Sequence, residues 1–228
     1  MGKGQIKLID FIYFDLGNVL VRVDKNIVAN NLDPYSGLKR KRIYRIFSCD
    51  YAVDQQYEFW KVVGEFDRGN LHPDQFYGKV CRALHLEKLS FKRFVKIWKM
   101  MLEVDSGMVE LIKDLRQKNG IRTGIISDLC VLHYNAVMAR LSRDLFDIPP
   151  FYSFMERCLK RENDGITFKR AIRAANLPAD RILFIDDREP NLEAAAKWGM
   201  RTFHYTLNFN DLLQYLKDAG LGRGRYYD

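Results

Sequence analysis

The sequence predicts an α/β fold, with a parallel-sheet, Rossmann-like core carrying an inserted all-helical cap. Three observations predict it. Short runs rich in β-branched and aromatic residues alternate with helix-like stretches, and most of these runs end in polar, turn-forming residues. Between residues 25 and 105 the runs give way to aromatic and aliphatic residues at helical spacing. Helices alternating with buried strands build a parallel sheet covered on both faces.

The first predicted strand runs from Ile6 to Phe14 and stops at the turn signal Asp15-Leu16-Gly17-Asn18. Three later strands follow: Arg122 to Ile126 before Ser127-Asp128, Arg181 to Ile185 before Asp186-Asp187, and Arg201 to Tyr205. Val109 to Leu115 reads as the helix that enters the second strand through Asn119-Gly120, and Phe168 to Ala175 as the helix that enters the third through Leu177-Pro178. In the cap, the sets Phe59, Val62, Val63, Phe66, then Phe76, Val80, Leu84, then Phe91, Phe94, Val95, Trp98 predict three or four helices and no strand. Pro73 fits a first helical position and Ser90 an N-cap. The core is therefore assigned to residues 1–24 and 106–228 and the cap to 25–105, with the glycine-rich tail Gly220–Asp228 expected to fray.

Composition narrows the class. With 47% hydrophobic and 29% charged residues among 228, the chain matches globular domains and not disordered or fibrous ones. No apolar run approaches the length of a membrane span, and Met1-Gly2-Lys3-Gly4-Gln5 lacks the apolar stretch of a signal peptide, so a cytoplasmic location without membrane attachment is expected. Cys49, Cys81, Cys130 and Cys158 are widely spaced, which suits reduced thiols, and the four histidines show no metal-ligand spacing. A net charge of +8 attracts anions, phosphorylated metabolites and nucleic acid alike. The densest basic run, Lys39-Arg40-Lys41-Arg42 with Arg45, interleaves with Ile43, Ile46 and Phe47 and reads as the solvated face of an amphipathic helix, so nucleic acid is a possible partner but not the favoured one.

The chemistry lies at the strand ends. In an open parallel sheet the carboxyl ends of the strands form the ligand crevice, which brings Asp15, Ser127-Asp128 and Asp186-Asp187 towards one point. Carboxylates so placed repel one another unless a cation joins them, and an all-oxygen donor set suits Mg²⁺.

These residues resemble the ordered motifs of the haloacid dehalogenase superfamily, in its phosphatase-like subgroup whose helical cap follows the first motif. Phe14-Asp15-Leu16-Gly17-Asn18-Val19-Leu20 resembles the first motif, Ile125-Ile126-Ser127-Asp128 the second, and Asp186-Asp187-Arg188-Glu189-Pro190-Asn191 the fourth, an Asp-Asp-x-x-x-Asn signature. Phe66-Asp67-Arg68-Gly69-Asn70-Leu71 with Phe76 is similar to a stretch of the subgroup's cap. The resemblance implies that Asp15 is a covalent nucleophile, that Ser127, the backbone after it at Asp128, and a lysine hold the phosphoryl group, and that Asp15, the Gly17 carbonyl, Asp186 and Asp187 hold Mg²⁺ with Asn191 behind them. Lys160 or Arg161 supplies the cation, Lys160 being preferred, although the usual Lys-Pro pair is absent.

Gly17 departs from the family pattern, since phosphatases of this superfamily carry a second Asp there as general acid and base. Without it the leaving oxygen departs as an anion, and turnover is expected to depend steeply on leaving-group quality. The reading that follows is a Mg²⁺-dependent phosphatase of a small phosphorylated metabolite, a sugar phosphate among the candidates. Two alternatives stand beside it: a catalytically weak relative that binds a phosphorylated ligand, RNA or protein through its basic surface, and a 2-haloacid dehalogenase, which needs no proton on its leaving halide. Cap residues set specificity, and Arg22, Tyr57, Trp60 and Lys61 are candidates to face the crevice.

Overall fold

The computed structural model describes residues 8–48 and 58–227, so Cys49 and Tyr57 lie outside the described residues. Five parallel strands form the core sheet in the order β5-β4-β1-β6-β7. They are β1 (Phe11–Phe14), β4 (Arg122–Ser127), β5 (Phe151–Tyr152), β6 (Ile182–Asp186) and β7 (Arg201–His204). A second, antiparallel ribbon pairs β2 (Val21–Val23) with β3 (Leu102–Val104). The helices are α1 (Lys25–Leu32), α2 (Arg40–Ser48), α3 (Glu58–Asp67), α4 (Pro73–Ala83), α5 (Phe91–Lys99), α6 (Ser106–Gln117), α7 (Val131–Met138), α8 (Ser153–Glu156), α9 (Ile166–Ala175), α10 (Glu189–Ala196) and α11 (Phe209–Leu216). None of the described helices is long and apolar enough to cross a membrane.

Strand β1 is central because every side chain in it is apolar enough to be buried on one face or the other. Phe11 and Tyr13 pack with Phe168, Ala171 and Ala195 of α9 and α10, whereas Ile12 and Phe14 pack with Met108, Leu111 and Ile112 of α6 and with Leu212 and Leu216 of α11. The period-2 alternation of a strand thus feeds both helical layers. The first strand begins at Phe11, later than the sequence predicts, and β5 is two residues long and was not anticipated.

Helices α1 to α5 surround a separate apolar cluster built on Phe47, Phe59, Phe66, Phe76, Phe94 and Trp98. Ser90 caps α5 by accepting from the Arg93 amide, and Pro73 opens α4, as their positions predict. Arg40, Lys41, Arg42 and Arg45 are exposed while Ile43, Ile46 and Phe47 are buried, which makes α2 the amphipathic helix expected there. Strand β3 corrects the expectation that residues 25–105 hold no strand. Three residues cannot carry a visible period, and their pairing with Val21–Val23 is non-local.

The tail is a second correction. Instead of fraying, the stretch after Gly220 docks on α6. Leu221 is fully buried, the buried Asp114 carboxylate accepts from the Arg225 amide at 2.8 Å, Arg225 also pairs with Glu110 at 2.7 Å, and the Tyr226 hydroxyl donates to the Gly107 carbonyl. Buried hydrogen-bonded groups offset the chain entropy that a free terminus would keep.

Beyond the ribbon, the end of α3 is bonded directly to the core. The Ser153 hydroxyl donates to the Asp67 carbonyl at 2.6 Å, and the Arg68 guanidinium binds Glu162, with its Nε at 2.9 and 3.1 Å from the two carboxylate oxygens. Arg157 reaches the Gly69 carbonyl. Gly69 has φ +71°, and a Cβ there would stand 2.5 Å from the Phe154 carbonyl oxygen. Only glycine allows this approach. Gly69→Ala is expected to cost about 1–3 kcal/mol of stability, the usual scale for a strained left-handed residue, measured by urea denaturation.

Candidate active site

The loops after β1, β4 and β6 converge because those strands are neighbours. Asp15 continues β1, its amide donating to the Ile185 carbonyl of β6 at 2.9 Å. The chain then turns tightly, with the Leu16 carbonyl accepting from the amides of Leu20 and Val21 and the Asn18 amide donating to Val21. Asn18 adopts φ +52°, a conformation that asparagine tolerates. None of the hydrogen bonds that close this turn uses the Gly17 carbonyl. A Cβ on Gly17 would meet nothing nearer than 3.7 Å, so the missing side chain at this position is not imposed by crowding.

Asp15, Asp186 and Asp187 present carboxylate oxygens within 4.8 Å of one another. Lys160 Nζ bridges two of them, at 3.0 Å from Asp15 Oδ1 and 2.6 Å from Asp186 Oδ2. Asp186 is saturated: besides Lys160 it accepts from the Arg188 amide at 2.9 Å and from Asn191 Nδ2 at 2.9 and 3.0 Å. Asp187 is held by one side chain, Asn18 Nδ2 at 2.8 Å, and Asn18 Oδ1 is itself fixed by the Val23 amide. Asp15 Oδ1 is buried and makes no well-formed hydrogen bond despite its ion pair. The donor set is all oxygen, partly unsatisfied and carries three acids against one lysine. It fits a hard divalent cation, with Asp15, the Gly17 carbonyl and Asp187 offering free oxygens and Asp186 acting from behind.

The electrostatics agree with that geometry. Burial lifts the Asp15 carboxyl to about 7; Lys160 opposes the rise, and Asp186 and Asp187 add to it. Burial alone would push the Lys160 ammonium down, but Asp15, Asp186 and Asp128 overcome this and hold it charged above its ordinary value. Ser127, the last residue of β4, points its buried Oγ towards Asp15, where it favours the charged form without completing a hydrogen bond of good geometry. Asp128 accepts from the Lys160 amide at 2.9 Å, which pins the longer, proline-free loop in place. Arg161 is exposed, so of the two cations only Lys160 enters the site.

Above the acids lies a cavity of about 440 Å³, lined among the described residues by Asp15, Lys160 and Asp187 on the core side and by Phe47, Trp60, Trp98 and Asp67 on the cap side. Trp60 thus both packs in the cap and faces the crevice. Arg22 pairs instead with Asp105 at 3.2 Å, and Lys61 is exposed outside the cavity. His133 lines the wall as a neutral ring stacked on Trp98, burial lowering it to about 4.

The haloacid dehalogenase-like hydrolase family model matches residues 9–199. The chain belongs to this family. No curated protein matches this haloacid dehalogenase-like hydrolase in sequence. Among solved structures it is similar to the HAD family enzyme bt-2542 from Bacteroides thetaiotaomicron, with 20% identity and a TM-score of 0.71 over 86% of this chain and 93% of that one. It is also similar to an HAD-like family hydrolase from Porphyromonas gingivalis, with 18% identity, a TM-score of 0.68 and coverage of 91% and 98%. A third likeness is to L-2-haloacid dehalogenase from Xanthobacter autotrophicus, with 13% identity, a TM-score of 0.59 and coverage of 93% and 83%. At such identities these likenesses speak to the fold.

Two residues escaped the sequence reading as individuals. Asn18 stood only as a letter of the first motif, and its carboxamide holding Asp187 gives it a place in the site. Asp67 stood only in the cap stretch, yet it reaches the cavity. The signal available for Asp67 was an acid two residues before a glycine at the end of a helical run, where the helix dipole disfavours negative charge. Removing the Asn18 support should loosen Asp187: Asn18→Ala is expected to raise the cation concentration needed for thermal stabilisation by about 10–100-fold. Melting temperature across a Mg²⁺ titration measures it.

Proposed function

We propose that the protein is a Mg²⁺-dependent phosphatase that hydrolyses a small phosphorylated metabolite through an aspartyl-phosphate on Asp15. The observation that carries this reading is the second acid of the pair: Asp187, held by Asn18 and with a carboxylate oxygen within 4.8 Å of those of Asp15 and Asp186, is what a metal-assisted phosphoryl transfer needs and a halide displacement does not. The Bacteroides enzyme of similar fold was crystallised with magnesium and inorganic phosphate, which supports the same reading.

In this mechanism the Asp15 carboxylate attacks phosphorus in line with the leaving oxygen. Lys160 neutralises the equatorial oxygens, and the unpartnered Ser127 hydroxyl with the Asp128 amide orients them. Mg²⁺, when bound by Asp15, the Gly17 carbonyl and Asp187, neutralises charge on the transferring group and the nucleophile. Water then cleaves the acyl phosphate and releases phosphate. Asn191 and the Arg188 amide keep Asp186 turned towards Lys160, so that the lysine is aimed as well as charged.

A cytoplasmic location suits such a substrate. The dehalogenase alternative keeps one feature in its favour, the missing carboxylate at Gly17, and the decisive assay includes it. Purified protein is expected to release phosphate from phosphate esters with Mg²⁺, to stop in EDTA, and to lose at least about 10³-fold in kcat as Asp15→Asn with an unchanged circular dichroism spectrum. Turnover of 2-haloacids that survives EDTA, with no release from phosphate esters, would replace the reading by dehalogenation.

A further inference from the structure

Gly17 leaves the leaving oxygen without the usual proton donor, but the cavity contains another carboxyl. Asp67 closes α3 and lines the same cavity as Asp15 and Lys160. Its carboxyl has no hydrogen-bond partner among the described residues, although its backbone carbonyl is fixed by Ser153. The neighbouring contacts, Arg68 to Glu162 and Arg157 to Gly69, fasten this corner of the cap to the loop that carries Lys160. Asp67 is therefore a cap residue positioned by the core.

The groups that face Asp67 decide its charge. Asp128, from the loop after β4, confronts it with a second carboxylate, and the Cys130 thiol at the start of α7 adds no cation. Arg68 is the cation nearby, and it is engaged by Glu162 and by Glu65 at 3.0 Å. Burial raises the Asp128 carboxyl as well, and Asp186 adds to the rise, but Asp128 has the charge of Lys160, the Lys160 amide and the charge of Arg188 to oppose it. Asp67 has no such amide donor among the described residues and its neighbouring guanidinium is paired elsewhere, so it is the better placed of the two to hold a proton, and the carboxyl end of α3 reinforces this. Burial, then Asp128, lift its carboxyl to about 8, with Arg68 opposing.

We propose that Asp67 is the general acid and base of this hydrolase, replacing from the cap the side chain that Gly17 lacks. The inference rests on the phosphatase reading and deepens it. As the Asp15 oxygen bonds to phosphorus and the P–O bond to the leaving group breaks, the electron pair goes to the leaving oxygen, which takes the Asp67 proton and departs as an alcohol. The Asp67 carboxylate then takes a proton from the water whose oxygen attacks the acyl phosphate. The P–O bond to Asp15 breaks, phosphate leaves, and Asp67 is protonated again.

The test compares wild type with Asp67→Asn on a primary alkyl phosphate and on 4-nitrophenyl phosphate, across pH, with Mg²⁺. The variant is expected to lose about 10²–10⁴ in kcat/KM on the alkyl ester and less than about tenfold on the nitrophenyl ester, whose leaving group needs no proton. Wild-type alkyl-phosphate turnover should fall as pH rises through about 8, because the acid must be protonated to act, and the variant should lack that limb. ¹³C NMR of aspartate-labelled wild type, assigned with the variant, should show the Asp67 carboxyl protonated at pH 7. An ionised Asp67 at pH 7, equal losses on both esters, or an unchanged alkyl rate would overturn the inference while leaving the phosphatase reading standing. Failure of wild type on every phosphate ester would remove both.

Discussion

The constraint on which the site depends is a buried imbalance of charge: Asp15, Asp186 and Asp187 share one lysine at the ends of β1 and β6. Leaving such a cluster unneutralised is costly in a low-dielectric interior, so the surroundings are arranged to support it. Asn191 and the Arg188 amide saturate Asp186, Asn18 holds Asp187, and Asp128 anchors the backbone of Lys160. Those supports leave two acids, the nucleophile candidate and Asp187, short of donors and facing the same point. Placing β1 between β4 and β6 makes this possible, because only adjacent strands bring three loops within hydrogen-bonding reach.

The cap is tied to this centre in two unlike ways. The β2–β3 ribbon joins it to the core by a short backbone ladder beside the first turn. The end of α3 is joined by side chains: Ser153, Arg157 and Glu162 come from the stretch that also carries Lys160. The cation of the site and the nearest cap residues therefore share one support. That coupling explains why a loop without the family's proline can still present its lysine, since Glu162 receives the Leu159 amide while it binds Arg68.

Much of this was legible in the sequence. Strands β1, β4 and β6 announced themselves as apolar runs ending in acids or serine, and burial on both faces is what such runs require. The residues expected at the site, Asp15, Gly17, Ser127, Asp128, Lys160, Asp186, Asp187 and Asn191, lie around one point. What was not legible depends on contacts between distant parts of the chain. The two-residue β5 and the three-residue β2 and β3 are too short to show a period. The docked tail relies on Asp114, a helical residue whose partner is 111 positions away. Asp67 stood in the sequence only within the cap stretch because its meaning comes from Asp128, Ser153 and Glu162, none of which adjoins it in sequence.

Asp15 and Asp67 are both raised by burial, yet their neighbours give them opposite tasks. Asp15 faces Lys160 and the Ser127 hydroxyl, which favour its anion, the form that can attack phosphorus, against the opposing charges of Asp186 and Asp187. Asp67 is raised by burial and by Asp128, it ends its helix, and the guanidinium beside it is committed elsewhere, all of which favour its neutral form. Burial lifts both carboxyls, to about 7 for Asp15 and about 8 for Asp67, and what distinguishes them is the charge beside each, Lys160 next to Asp15 and Asp128 next to Asp67. The two sit on different domains of the proposed division, one on the sheet and one on the cap. In the proposed reaction the nucleophile therefore stays with the core, and the proton arrives with the element that also shapes the substrate cavity.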